Sequence, residues 1–449
     1  MLKNIMTVNN IHFNEMMLKT FMIILPLFLL ILIIPVYRHT SEINIEEVKN
    51  PKNLKYNIVK RYVIRYQGNR IQVTEILMKN VFWRNGQWTH KVIIYVPENR
   101  RNYDYCLLTS SPLNLKFSVN FGIKDVVKYG IPLVIVDNVP NNFILDENTM
   151  IFLTSINAIV KNKPELSLLY PMVTAYIKAI TLSQLILNPP PTKYIVGGES
   201  KRGWVSLLVA KYDNRICGIV MRSFNFIDTK SYVEKMIENY QLEKIWGRIG
   251  NIGLLQLISI LCNNNFIKEY DPLYFLDSTS SIPKLIILGT ADELFPPGCE
   301  KTYYDHGKTW FCYIANLNHI QTCLSTKADI STTTFISYII NNRKMPKIYL
   351  NYNLTENYII VKSFIEKDGE TILNVKLWYT YLNDPSFYNK KFYVKTMNLH
   401  GDQYIAELPM KKKIAAFFIE LEFSTIEENI GYITSKIEII DLSKHLNRI

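Results

Sequence analysis

The chain has 449 residues, 48% hydrophobic and 20% charged, with 17 glycines and 19 prolines, a balance that describes a folded protein and excludes a disordered or low-complexity one. That length exceeds one average core, so two folded units are expected. The net charge of +12 arises from lysines and arginines scattered along the chain with no nucleic-acid motif beside them, which argues against a nucleic-acid partner.

In chain order, the first feature is the apolar run Phe21 to Val36, flanked by Lys19 and Arg38. It is long for a signal-peptide core and slightly short of the ~20 residues of a bilayer span. No small-residue cleavage site follows it, so an uncleaved signal-anchor is favoured over a removed signal peptide. Residues 1–40 are therefore read as a tail plus a targeting segment that touches the membrane. The bulk of the chain is then secreted or membrane-anchored outside the cytoplasm. There the six cysteines could pair. A Cys312–Cys323 bridge would brace the stretch between them, buried free thiols being the other reading. Asn353-Leu354-Thr355 is a lone glycosylation sequon, with Asn353 the acceptor.

Residues 41–343 read as an α/β domain. An amphipathic strand pair around Tyr62–Tyr66 and Ile71–Leu77 comes first. Short apolar runs follow at Lys91–Val96, Tyr105–Thr109, Pro132–Val136, Tyr194–Val196, Ile216–Met221, Leu285–Leu288 and Trp310–Ile314. Helical periodicity fills gaps between them, notably at Leu166–Ile186 and Trp204–Tyr212. Continuous apolar strands alternating with helices predict a mostly parallel sheet covered on both faces. The aliphatic and aromatic residues from about 230 to 280, including Tyr240, Ile245 and Trp246, predict an inserted helical cap. From Pro346 the period becomes two, and about seven short strands over 344–449 predict an immunoglobulin-like β-sandwich.

Tyr194 to Trp204 reads as a strand, a sharp turn and a helix start, with Ser200 at the turn. A nucleophile elbow needs small residues around its strained serine; Gly198 stands two before it and Gly203 three after it. A serine hydroxyl needs a base to take its proton, and the chain has seven histidines. His12 and His39 flank the apolar run, His90 opens an early strand, and His400 and His445 lie near the C-terminus. His306 precedes the last strand, whereas His319 follows it. Asp292 follows the strand Leu285–Leu288. Ser200, Asp292 and His319 thus stand in the order nucleophile, acid, base at three predicted strand ends. The Lys201 N–H, with a second donor near Ser110 or Ser111, would form the oxyanion hole. Lys201 and Arg202 could attract an anionic substrate or pair with a carboxylate. Nothing in the chain calls for a cofactor or a metal.

The string Gly198 to Trp204, G-x-S-K-R-G-W, resembles the PhoPQ-activated pathogenicity-related protein family, which includes autocrine proliferation repressor-like proteins. Trp88–Pro97, Gly130-Ile131-Pro132, Val139-Pro140-Asn141, Pro171-Met172, Asp271-Pro272, Pro283-Lys284-Leu285 and Asn316–His319 are similar to family landmarks in the same order. The resemblance implies an α/β-hydrolase-like fold, a triad at Ser200, Asp292 and His319, and an extracytoplasmic setting. It names no substrate, and Ser110 and Ser111 stand where the family tends to have glycines. Two functions are expected from this site. One is a serine hydrolase acting on an ester or amide. The other is a catalytically silent signalling or adhesion protein with a cell-surface protein partner.

Overall fold

The computed structural model describes residues 45–83, 86–111, 122–137, 147–225, 228, 231–232, 235, 265–298, 308–384, 386–387, 390–411, 413–425 and 427–443. The predicted targeting segment, His306, Cys299 and most of the predicted cap lie outside these residues. Among the described residues, no helix is long and apolar enough to cross a membrane.

After a short helix α1 (Ile45–Lys49), three long strands form an antiparallel meander: β1 (Lys55–Tyr66), β2 (Asn69–Trp83) and β3 (Gly86–Pro97). The first pair turns through Gln67 and Gly68, at φ 47° and 80°, the two successive positive φ values of a tight hairpin whose twist matches its strands. Both strands run well beyond the predicted Tyr62–Tyr66 and Ile71–Leu77. The outer end of β1 carries exposed apolar residues, Ile58 and Val59, which blur the alternation.

The α/β body follows: β4 (Tyr105–Ser111), α2 (Ile123–Tyr129), β5 (Leu133–Asp137), α3 (Glu147–Lys161), α4 (Leu169–Ile186), β6 (Lys193–Glu199), α5 (Lys201–Tyr212) and β7 (Ile216–Arg222). Beyond the predicted cap come α6 (Asn265–Tyr270), β8 (Lys284–Gly289), β9 (Thr309–Ile314), α7 (His319–Cys323) and α8 (Thr326–Ile340). The strand order β5-β4-β6-β7-β8-β9 is parallel throughout, with β3 antiparallel against β5. Alternation within each strand sends Ile195, Val220, Leu285 and Ile287 to one face. There they pack with Ile123 and Val126 of α2 and Phe335 and Ile336 of α8. Tyr194 points the other way, where its hydroxyl meets Ser183 of α4 at 2.7 Å. Both faces are therefore covered, as the unbroken apolar strands require. Helix α4 is buried almost all round, so its sequence lacks a polar stripe.

The C-terminal part contains β10 (Lys347–Leu354), β11 (Tyr358–Glu366), β12 (Thr371–Leu382), β13 (Tyr393–Thr396), β14 (Asn398–His400), β15 (Gln403–Pro409), β16 (Ile414–Ser424), β17 (Ile430–Thr434) and β18 (Glu438–Asp441). The predicted strand Tyr432–Ile440 is two strands, and β14 escaped notice because it is three residues long and exposed. A four-stranded sheet, β10-β11-β15-β14, packs its apolar side on the rest, with Tyr352 and Phe417 rings 5.8 Å apart. The opposing layer is continuous with the parallel sheet, because β17 pairs with β9 at Thr434 and Phe311 and leads on to β16, β12 and β13. Residues Ile43–Ile449 accordingly form one compact unit. Cys106, Cys217, Cys312 and Cys323 are free thiols, so of the two readings of Cys312 and Cys323 the structure has the unpaired one. Cys312 lies in β9 with its sulfur 3.1 Å from Ser331 Oγ, while the Cys323 thiol faces Ser223.

Candidate active site

Three loops leave the C-terminal ends of β6, β8 and β9, the edge at which open parallel sheets place their ligands. Ser200 sits between β6 and α5 at φ 56° and ψ −133°, a sparsely populated conformation for a residue with a side chain. Two glycines make the turn possible. A Cβ on Gly198 would lie 2.3 Å from the backbone C and O of Arg202, and one on Gly203 would lie 2.9 Å from Phe224 Cβ. The second glycine is displaced by one position from the usual pattern because the residue needing no side chain is the one facing Phe224. The backbone holds the serine from both sides: its N–H donates to Arg222 O and its carbonyl accepts from Gly203 N, each at 2.8 Å.

Asp292 is 3% exposed, and both its oxygens lie against His319 Nδ1, at 3.1 and 3.0 Å. Oδ1 also accepts from the backbone N–H of Leu294 and Phe295, at 2.9 and 2.8 Å. Burial raises the Asp292 pKa, against the lowering effect of His319 and of those two N–H donors. With Nδ1–H committed to the carboxylate, Nε2 is left as the proton acceptor. His319 opens α7 after Asn318, whose side chain caps the helix in a capping box with Gln321. Its N–H donates to Glu293 Oε2 at 3.1 Å, its carbonyl accepts from Ser223 Oγ at 3.0 Å, and its ring centroid lies 5.8 Å from that of Phe295. No hydrogen bond joins the Ser200 hydroxyl to His319 among the described residues; in ligand-free sites this contact commonly tightens only around substrate.

Strand β4 continues through Ser111, two residues past its predicted end at Thr109. Ser110 is in parallel register with Val136, and its hydroxyl is 2.5 Å from Tyr176 Oη. Residues 112–121 lie outside the described residues. Lys201 is the first residue of α5, so its backbone N–H is at that helix's N-terminus. The side chains of Lys201 and Arg202 both meet Glu147. Glu199, just before the nucleophile, has its carboxyl pKa raised by burial, an effect opposed by Arg222 and Arg202. Asn353 is exposed on β10, and His90 is buried with Nδ1 3.3 Å from Asp137 O. Among the described residues, no cluster of three His, Cys, Asp or Glu could hold a metal ion.

Sequence reasoning missed Glu147 and Glu293. Glu293 follows the acid directly and was hidden by it. Glu147 pairs across 55 positions, and no local pattern announces such a partner.

None of the curated protein sequences matches this chain. Among solved structures it is similar to acetyl xylan esterase 1 from Thermoanaerobacterium sp., at 15% identity over 63% of this chain and 93% of that one, with a TM-score of 0.38. A glucuronoyl esterase from Teredinibacter turnerae aligns at 12% identity over 71% and 83% of the two chains, with a TM-score of 0.43. Residues 46–385 match the PhoPQ-activated pathogenicity-related protein family along a stretch that takes in Ser200, Asp292 and His319, and the chain belongs to that family.

Proposed function

We propose that this protein is a serine hydrolase cleaving an ester or amide through an acyl-enzyme. The observation that carries the reading is the buried Asp292–His319 pair, formed at the same sheet edge as a serine held in elbow geometry. Ser200 Oγ attacks the substrate carbonyl carbon while His319 Nε2 takes its proton. The carbonyl oxygen becomes an oxyanion facing the Lys201 N–H at the start of α5, where the helix end favours negative charge. Collapse breaks the bond to the leaving group, which receives the proton from His319. Water, activated by the same imidazole, then releases the acid and restores Ser200. Asp292 keeps the imidazole in the tautomer that can accept from serine.

The second reading is a catalytically silent protein that binds a cell-surface partner. One observation favours it: Ser110 and Ser111, near which the second oxyanion N–H is expected, belong to the β4 ladder in register with Val136 and Asp137. On either reading, the apolar run at Phe21–Val36 supports a secreted or membrane-anchored protein.

Labelling of the folded protein with a fluorophosphonate decides between them. Label should appear on wild type and vanish in Ser200→Ala, and Asp292→Asn should slow it by about 10⁴-fold, because the wrong imidazole tautomer then predominates. Well-folded wild type that takes no label through Ser200 would sink the hydrolase reading.

A further inference from the structure

The nucleophile helix begins in a way that local preference disfavours. Its first two residues, Lys201 and Arg202, are cations at the end of the helix where the dipole prefers anions, its first turn holds no acid, and Ser200 provides no side-chain cap. A capping side chain or an anion placed on the axis would occupy the N–H groups that the proposed chemistry needs. The compensating charge comes instead from the side. Glu147, the first residue of α3, accepts from Arg202 Nη2 with both oxygens, at 3.0 and 3.1 Å, and its Oε2 lies 3.3 Å from Lys201 Nζ. The group is largely removed from water, with side-chain exposures of 6% for Arg202, 15% for Lys201 and 19% for Glu147.

The Arg202 backbone is equally fixed. Its carbonyl accepts from Ser206 Oγ at 2.9 Å and lies where any Cβ on Gly198 would fall. The Lys201 peptide is thus held between a strained serine and an anchored arginine. Strained backbone persists only where its surroundings over-determine it. We propose that Glu147 is a positioning residue for the oxyanion donor: by clamping the two side chains that follow Ser200, it neutralises the helix start while leaving the Lys201 N–H aimed at the reacting carbonyl.

This rests on the reading of Ser200 as nucleophile, and the experiment separates the two. Fluorophosphonate labelling is followed at several reagent concentrations for wild type, Glu147→Gln and Glu147→Asp, beside thermal melts. The maximal labelling rate of Glu147→Gln should fall by about 10- to 100-fold with the half-saturating reagent concentration little changed, the mark of a lost transition-state interaction. Glu147→Asp, which keeps the charge on a shorter arm, should recover part of that loss. A purely structural role would lower the melting temperature and leave the maximal rate of the folded fraction alone, and that result overturns the proposal. If Glu147→Gln does not fold, an unchanged maximal rate in Glu147→Asp overturns it equally. Wild type that takes no Ser200-dependent label overturns both readings, whereas a labelled wild type matched by Glu147→Gln overturns this one alone.

Discussion

Asp125 lies in α2 at 1% exposure, and among the described residues no ion pair reaches its carboxylate. Burial pushes its pKa from 3.8 up to about 6, despite the nearby Thr333 hydroxyl and the charges of Lys124, Lys128 and Arg222. Between those values the folded state binds the proton that the unfolded state has released, so stability falls as pH rises through about 6. Two units correspond to about 3 kcal/mol, absent at pH 4 and fully felt at pH 7.5. Asp125→Asn should therefore stabilise the protein at pH 7.5 relative to its effect at pH 4 by about 2–3 kcal/mol, read from urea unfolding of both forms at both pH values. Equal effects at the two pH values would show that the carboxyl is not the cause. No sequence pattern marks this residue, since an acid in the first turn of a helix ordinarily faces water. Ser200, Asp292 and His319 were legible for the opposite reason. Each lies within five residues of the end of an apolar strand, and the short connection leaves little freedom in where it lies.

At the scale of elements, the loops carrying Asp292 and His319 lock together through Gly289, the last residue of β8. A Cβ there would lie 2.2 Å from both Leu317 O and Thr322 Oγ1, on the two sides of His319. Gly289→Ala must push α7 away from the sheet edge. Displacements of about 1 Å at a reacting group cost on the order of 10²-fold, so labelling at Ser200 should drop by about that factor while the protein keeps its secondary structure. Full-rate labelling in this variant would mean that the His319 loop adapts freely. The same element shows where sequence fell short. The strand Leu285–Leu288 and its glycine are plain, but contact between Gly289 and a loop some thirty residues on depends on tertiary packing. Helix α3 is another such case. It grips α5 through Glu147 at one end, while just beyond the other Asn162 Oδ1 accepts from Asn265 N at 3.2 Å.

Over the whole molecule, the C-terminal strands are built into the layer that carries the candidate site. Asn316, at φ 64° in the loop before His319, donates from Nδ2 to Phe392 O at 3.0 Å and accepts from Phe392 N at 2.7 Å. Its own N–H goes to Thr290 Oγ1 at 2.8 Å, in the loop that carries Asp292. Asn316→Gly keeps the left-handed backbone and removes the clasp; it should cost about 1–3 kcal/mol and slow Ser200 labelling. Removal of 344–449 should leave no soluble folded α/β body, because it uncovers β9 and Tyr313, whose ring lies 5.3 Å from that of Phe418. A truncated chain with a cooperative melt would contradict this. The period-two strands beyond Pro346 were readable as a sandwich, yet their continuity with β9 was not. A change of hydrophobic period marks a change of architecture, and it carries no record of which edges join.

The Asn316–Phe392 clasp also sets a time at which the site can exist. Ser200 and Asp292 are synthesised long before Phe392, and domains begin folding as they emerge from the ribosome. The loop carrying His319 gains its outer support only when the chain has been made for more than seventy further residues. The body that carries Ser200 and Asp292 therefore waits on strands made long after them, because its layer is complete only with β17 and β16.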